Sequence, residues 1–258
     1  MSDIKQDLQL DVRGKVLVVT LNRPPVNTLL LDTYQEIART FDSISLRTDV
    51  NCAIFTAAGT KAFCAGLDLK EFASAKLEDD PGRAAVVRHC FAAIRHCALP
   101  VIAAVNGPAL GAGCVLTSVC DIRLAAETAT FGLPEINVGR CGGTAHMGRH
   151  LPQGLLRRMF FTGQPIRAQE AERFGFVDQV LAHDALMPAA MAMAELIAEK
   201  APLGLRLGKA AMNEIEFLSV EDGYAAEQRY STRLMATQDA REATRAVLEK
   251  RKPIYTGR

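Results

Sequence analysis

No stretch of this 258-residue chain approaches the roughly 20 uninterrupted apolar residues that a membrane helix needs. The opening Met1-Ser-Asp-Ile-Lys-Gln-Asp7 has no apolar core and no small-residue cleavage site, so it is not read as an export signal. Charge of one sign is not in excess. The formal net charge is +1, which sets up no field that would draw nucleic acid or a lipid surface. Arg157-Arg158 and Lys250-Arg-Lys252 are basic, but no aromatic platform interleaves them. The seven cysteines, at 52, 64, 90, 97, 114, 120 and 141, form no CxxC pair. A dispersed, odd set reads as reduced and mostly buried thiols in a cytoplasmic protein. His89, Cys90, His96 and Cys97 recur at seven-residue spacing, yet structural zinc sites use tighter ligand pairs, so packing is the favoured reading and no metal is expected. Glycine occurs without an in-register GxGxxG, without the Walker spacing around Gly59-Thr-Lys61, and without a GxSxG elbow. Dinucleotide, P-loop and serine-hydrolase chemistries lose their usual supports.

What is present is an ordinary globular composition, 49% hydrophobic and 23% charged, at a length near the limit for one core. Leu8–Val12 and Lys15–Leu21 alternate around Arg13-Gly14 and predict a hairpin. Leu31, Tyr34, Ile37, Ala38 and Phe41 keep helical spacing in a segment running to about Leu46. Cys52–Thr56, Val101–Val105 and Asp121–Ala126 are short apolar runs suited to strands covered on both faces. A helix is expected from about Arg83 to Cys97. Strand, loop and helix recur, which predicts an α/β fold. After about Ala201 only helical spacing continues, so residues 1–200 are read as the core and 201–258 as a helical C-terminal subdomain.

Two glycine-bearing loops, Phe63–Glu71 and Asn106–Cys114, each follow a predicted strand and open a helix. Small residues there allow a ligand close to backbone N–H groups, and a helix N-terminus adds a positive dipole end. Facing one another, the loops would hold an oxyanion between two amides. The same glycines would equally serve tight turns and close helix packing.

In chain order, Leu21-Asn-Arg-Pro24, Ala62-Phe-Cys-Ala-Gly-Leu-Asp-Leu-Lys-Glu71, Pro100-Val-Ile-Ala-Ala-Val-Asn-Gly-Pro-Ala-Leu-Gly-Ala-Gly-Cys114, Cys120-Asp-Ile-Arg123 and Phe131-Gly-Leu-Pro-Glu135 resemble successive signatures of the crotonase (enoyl-CoA hydratase/isomerase) family. Gly142-Gly-Thr144 and Leu248-Glu-Lys-Arg-Lys-Pro253 extend the resemblance to the chain's end. It implies a spiral of ββα units with a helical C-terminal trimerisation region, and a homotrimer or homohexamer. Leu67 and Ala112 would supply the two oxyanion N–H groups, and Glu135 the acid/base. A glutamate following proline is also at home in a first helical turn, where the dipole stabilises it. Val26, Ala65, Gly66 and Leu67 would lie along coenzyme A, and Lys250 would meet one of its phosphates. Read alone, Lys250 is a solvated charge. Coenzyme A enters as the substrate thioester, so no separate cofactor is implied.

One position departs from the family pattern. Hydratases of this family carry a second glutamate where this chain has Val115. Valine can neither hold water nor move a proton. One carboxylate suits transfer of a proton between C2 and C4 of an enoyl thioester; hydration stays open if Glu135 alone activates water. The alternatives are another enolate reaction, such as decarboxylation of a malonyl-type thioester, or an RNA-binding homologue. Leu67 is bulkier than the usual alanine and would narrow the acyl pocket. Arg140 and His146 are read as surface or supporting residues.

Overall fold

In the computed structural model, which describes residues 6–258, strands β1 (Leu8–Arg13) and β2 (Val16–Leu21) form an antiparallel hairpin. Gly14 makes the reversal at φ 58°, a conformation that costs a side-chain-bearing residue far more. Helix α1 (Leu31–Ser45) returns the chain to β3 (Cys52–Ala57), parallel to β2 with Val16 opposite Cys52. Helices α2 (Leu69–Ser74) and α3 (Asp80–Arg95) then lead to β4 (Val101–Val105). Helix α3 starts at Asp80, ahead of the expected Arg83, because Pro81 fits a first helical turn where no N–H partner is needed.

From β4 the chain makes the two-residue strand β5 (Ala109–Leu110), helix α4 (Ala112–Ser118), β6 (Ile122–Ala126) and β7 (Thr130–Gly132). Helices α5 (Thr144–Met147) and α6 (Gln153–Thr162) precede β8 (Ile166–Arg167), α7 (Ala168–Arg173) and β9 (Gln179–Leu181). The main sheet runs β1-β2-β3-β4-β6-β9, parallel from β2 onward, and a small second sheet runs β5-β7-β8.

Period-two alternation divides the apolar side chains of the main sheet between two cores. Leu17, Val19, Phe55, Ala103 and Val105 face α1 and α3. Val18, Ile54, Ile102, Ala104 and Leu124 face α8 (His183–Ala198). The buried stripe of α8 is Leu186, Ala190, Ala194 and Ala198, and its small side chains let the helix lie close on the strands. Both faces are therefore covered, as parallel sheets require.

The segment beyond residue 201 is α9 (Pro202–Ile215), α10 (Val220–Met235) and α11 (Gln238–Leu248). Polar side chains tie it to the core. Lys209, 3% exposed, donates to Asp121 Oδ2 at 2.7 Å and to the Leu99 carbonyl at 2.9 Å. The same Asp121 oxygen accepts the Val101 N–H at 2.7 Å, so one carboxylate fixes both α9 and the start of β4. Glu216 pairs with Arg95 and Arg149. Met212, Val220, Tyr224 and Met235 on these helices, and Phe217 between α9 and α10, are left exposed. Among the described residues, no helix is long and apolar enough to cross a membrane.

Removing Asp121 leaves a buried ammonium with a single carbonyl partner, whereas removing Lys209 leaves a carboxylate still bonded to Val101 and partly open to water. Asp121→Ala should cost about 3 kcal/mol of unfolding free energy, and Lys209→Met clearly less. Urea unfolding of the two variants checks the order.

Candidate active site

Strand pairing brings three segments side by side. Cys64 bridges to Ala109 in parallel register, through Cys64 N to the Pro108 carbonyl (3.1 Å) and Leu110 N to the Cys64 carbonyl (2.9 Å). Strand β5 pairs in turn with β7, Leu110 opposite Gly132, and Gly111 N donates to the Gly132 carbonyl at 2.9 Å. Whatever follows Cys64, Leu110 and Gly132 must therefore sit together. Those continuations are Leu67, Ala112 and Glu135.

The first loop passes Gly66 at φ 93°, and a Cβ built there would lie 2.9 Å from the Leu110 carbonyl oxygen. Leu29 clamps it on both sides of Leu67. Leu29 N donates to the Gly66 carbonyl (2.8 Å), and Asp68 N donates to the Leu29 carbonyl (2.9 Å). The Leu67 N–H points the other way and has no acceptor among the described residues. Asp68 then caps α2 by accepting from Lys70 N and Glu71 N at 3.1 and 3.2 Å. In the second loop Gly111, at φ 55°, turns the chain into α4. Ala112 is the first residue of that helix, so its N–H has no partner in the preceding turn. Both N–H groups belong to residues lining one cavity of about 430 Å³.

Glu135 lies in the first part of a 3-10 turn, Pro134–Val138, directly after β7. Its Oε1 is 3.1 Å from where a Gly111 Cβ would stand, so a side chain there would crowd the carboxylate, and the φ of 55° would strain it as well. Its Oε2 is buried without a hydrogen-bond partner. Burial raises its pKa above the ordinary carboxylate range. Val115, one helical turn beyond Ala112 and 2% exposed, forms the apolar wall of the same cavity.

The other wall comes from α1 and the stretch through α3. Tyr34, Glu71, Arg83 and Phe91 line it. Glu71 accepts from Leu31 N at 3.0 Å and pairs with Arg83 at 2.9 Å, joining α1 to α3. Arg140, read from the sequence as a surface or supporting residue, lines the cavity: its guanidinium stacks 4.4 Å above Phe72 and reaches Asp80 at 3.3 Å. His146 is not a lining residue; it packs its ring on Phe91. Tyr34, Glu71 and Arg83 went unnoticed in the sequence. Tyr34 matched the apolar stripe of α1, and the only signal was a hydroxyl on that stripe.

Val26 and Ala65 are joined by the bond from Ala65 N to the Val26 carbonyl (3.0 Å), and Gly66 follows, so these three lie beside the Leu67 amide without lining the cavity. Asn27, buried at φ 54°, holds that loop in place by donating to the carbonyls of Ala58 and Ala62 at 3.0 Å each. Lys250 stands apart. It follows α11 and is exposed, and the cavity of its own chain does not include it. Of the four residues that recur at seven-residue spacing, Cys90 and Cys97 are buried in the core and His89 pairs with Asp42 at 2.9 Å.

Two amides without acceptors among the described residues share one cavity with a buried carboxylate, an arrangement that can stabilise negative charge on an oxygen while a proton moves nearby. The matching family model is that of enoyl-CoA hydratase/isomerase, over residues 11–258, and the chain belongs to this family. It is 36% identical to the short-chain-enoyl-CoA hydratase of Clostridium acetobutylicum, over 94% of this chain and 95% of that one. It is 34% identical to the 2,3-dehydroadipyl-CoA hydratase of Escherichia coli, over 98% and 99%. An enoyl-CoA hydratase structure from Bacillus anthracis superposes with a TM-score of 0.94 at 34% identity, covering 98% of this chain and all of that one. The fold is that of the crotonase superfamily, and the protein is an enzyme of the hydratase/isomerase class.

The close contact of the two loops sets a test. A Gly113 Cβ would lie 2.2 Å from the Cys64 carbonyl oxygen, so Gly113→Ala must push the loops apart and should cost about 1–3 kcal/mol. Gly82→Ala, in α3 with nothing within 4 Å of the new methyl, should instead stabilise by about 0.4–1 kcal/mol. Denaturant unfolding of both variants gives the comparison.

Proposed function

We propose that the cavity holds the acyl end of a coenzyme A thioester, with the carbonyl oxygen between the N–H groups of Leu67 and Ala112 and Glu135 as the proton-transferring group. The single observation that carries this reading is the orphaned, buried Oε2 of Glu135 in the same cavity as the two unpartnered amides. As a proton leaves carbon or a nucleophile adds at C3, charge collects on the thioester oxygen. Each preorganised donor is typically worth about 2.7–4 kcal/mol to such a transition state. Burial makes Glu135 a stronger base than an ordinary carboxylate and lets it return the proton readily. By itself this single carboxylate supports Δ3,Δ2-enoyl isomerisation, removing a proton from C2 and delivering it to C4. Hydration needs one more group to hold the water.

Val26, Ala65 and Gly66 would take the pantetheine along the loop edge next to Leu67. Lys250, which does not line the cavity of its own chain, would reach a coenzyme A phosphate from a neighbouring copy. The exposed Phe217, Val220, Tyr224 and Met235 support an assembly through the C-terminal helices, a trimer or two stacked trimers. With six of its seven cysteines buried as free thiols, the chain suits a reducing cytoplasm.

Glu135→Gln should lower kcat by about 10²–10⁴ and leave acyl-CoA binding within a few-fold. In the wild type, activity should fall with decreasing pH through a value above the ordinary glutamate pKa of about 4.3, since the carboxylate form is the base and burial has raised its pKa. That acid limb should vanish in the variant. Near-normal turnover by a folded Glu135→Gln protein would remove the residue from the mechanism.

Light scattering at micromolar concentration should give the mass of three copies or a multiple of three. Lys250→Ala should raise KM for an acyl-CoA but not for the matching pantetheine thioester. A monomer with unchanged KM would sink both the assembly and the lysine's role.

A further inference from the structure

Where hydratases of this family carry a second carboxylate, this cavity presents the apolar wall of Val115. A water held by Glu135 alone would be free to rotate about one contact. A second polar group is nevertheless present on the facing wall. Tyr34, in the first turn of α1, is 4% exposed and lines the cavity together with Glu135, Leu67 and Ala112. Its ring is fixed edge-on against Phe91, with centroids 6.1 Å apart and planes at 80°.

The hydroxyl at the end of that ring has no hydrogen-bond partner among the described residues. Nor is it one of the fully enclosed orphaned atoms, a group that includes Glu135 Oε2. Its oxygen therefore keeps some accessible surface, on a residue that lines the cavity. A buried hydroxyl facing empty space costs stability unless something occupies that space in function. Tyr34 and Glu135 line one cavity of about 430 Å³, which has room for a water and supplies it with two polar side chains.

We propose that the Tyr34 hydroxyl is the second group that holds the attacking water, standing in for the carboxylate that Val115 does not provide. The inference rests on the reading of the cavity as the acyl site. Burial, reinforced by the neighbouring thiols and by the charges of Glu135 and Glu71, raises the phenol pKa well above its ordinary value, so Tyr34 stays neutral and keeps its proton. Glu135 takes a proton from the water as the oxygen bonds to C3, and the C2=C3 pair moves onto the thioester oxygen. As the enolate collapses, Glu135 returns that proton to C2. The sum is one water added across the double bond. The phenol fixes the direction of the water's lone pair and takes no part in the proton balance.

The test is Tyr34→Phe, which removes one oxygen and leaves the ring packing intact. Hydration of a short trans-2-enoyl-CoA and isomerisation of the matching 3-enoyl-CoA are measured on the full assembled enzyme, with melting temperature as the folding check. Hydration kcat should fall at least 10-fold with KM within 3-fold, while isomerisation stays within 2-fold, because isomerisation needs no water. If packing is disturbed, both reactions fall together, and that result overturns the proposal. Unchanged hydration overturns it, as does a wild type that isomerises but does not hydrate. Adding Val115→Glu to the Tyr34→Phe enzyme supplies a measurement that a structural role would not move: restored hydration supports the water-holding role, and a folded double variant with none counts against it. Glu135→Gln separates the two levels of inference. If it abolishes both reactions while Tyr34→Phe changes neither, Tyr34 alone is wrong. If Glu135→Gln is fully active, the reading of the site fails first.

Discussion

The backbone contact between Cys64 and the Pro108–Leu110 strand is the constraint on which the rest of the site depends. It aligns two loops that are far apart in sequence, Cys64 with Ala109, and Gly113 against the Cys64 carbonyl sets how near they come. Parallel pairing of β5 with β7 then adds the Glu135 turn to the same edge. No side chain of the first loop needs to specify its distance from the second, because the hydrogen-bond register does so. The main sheet, covered on both faces, holds the strands that feed these loops.

That alignment concentrates unsatisfied polarity in one place. Elsewhere in the described chain, buried polar groups are mostly partnered: Asn27, Asn51, Thr56 and Lys209 all find backbone carbonyls. In the cavity two amides, a carboxylate oxygen and a phenol lack partners among the described residues. Leaving a buried polar group unmet costs about 1–3 kcal/mol. Arg95 Nε and Asn106 Oδ1 are also buried without partners among the described residues, but they lie outside the cavity, which gathers several such groups in one place.

Much of this was legible in the sequence because it is local. The hairpin about Gly14, the buried run Val101–Val105 and the helix beginning at Leu31 follow from spacing and composition, and the structure places them there. The two glycine loops and Glu135 were legible through ordered motifs. What the sequence could not convey were contacts made across the fold. Tyr34 keeps the helical spacing of a core residue, and only the folded chain brings it to the cavity that Glu135 also lines. Arg140 sits in a polar, glycine-flanked loop typical of a surface, and its cavity position depends on Phe72 and Asp80, some 60 residues earlier. Lys250 was legible as a motif residue, but a single chain does not bring it to the cavity.

The two amides also have a consequence for inheritance. A main-chain N–H is supplied by every amino acid except proline, so codons 67 and 112 can drift without altering the donors they encode. On the proposed reading, variation at Leu67 would retune the room left for the acyl chain while its main-chain N–H stays in place. The positions under strict demand are the neighbours with no chemistry of their own, Gly66, Gly111 and Gly113, whose missing side chains set the spacing. In such a site new substrate preferences can accumulate at the donor residues themselves, while loss of function is registered one residue away.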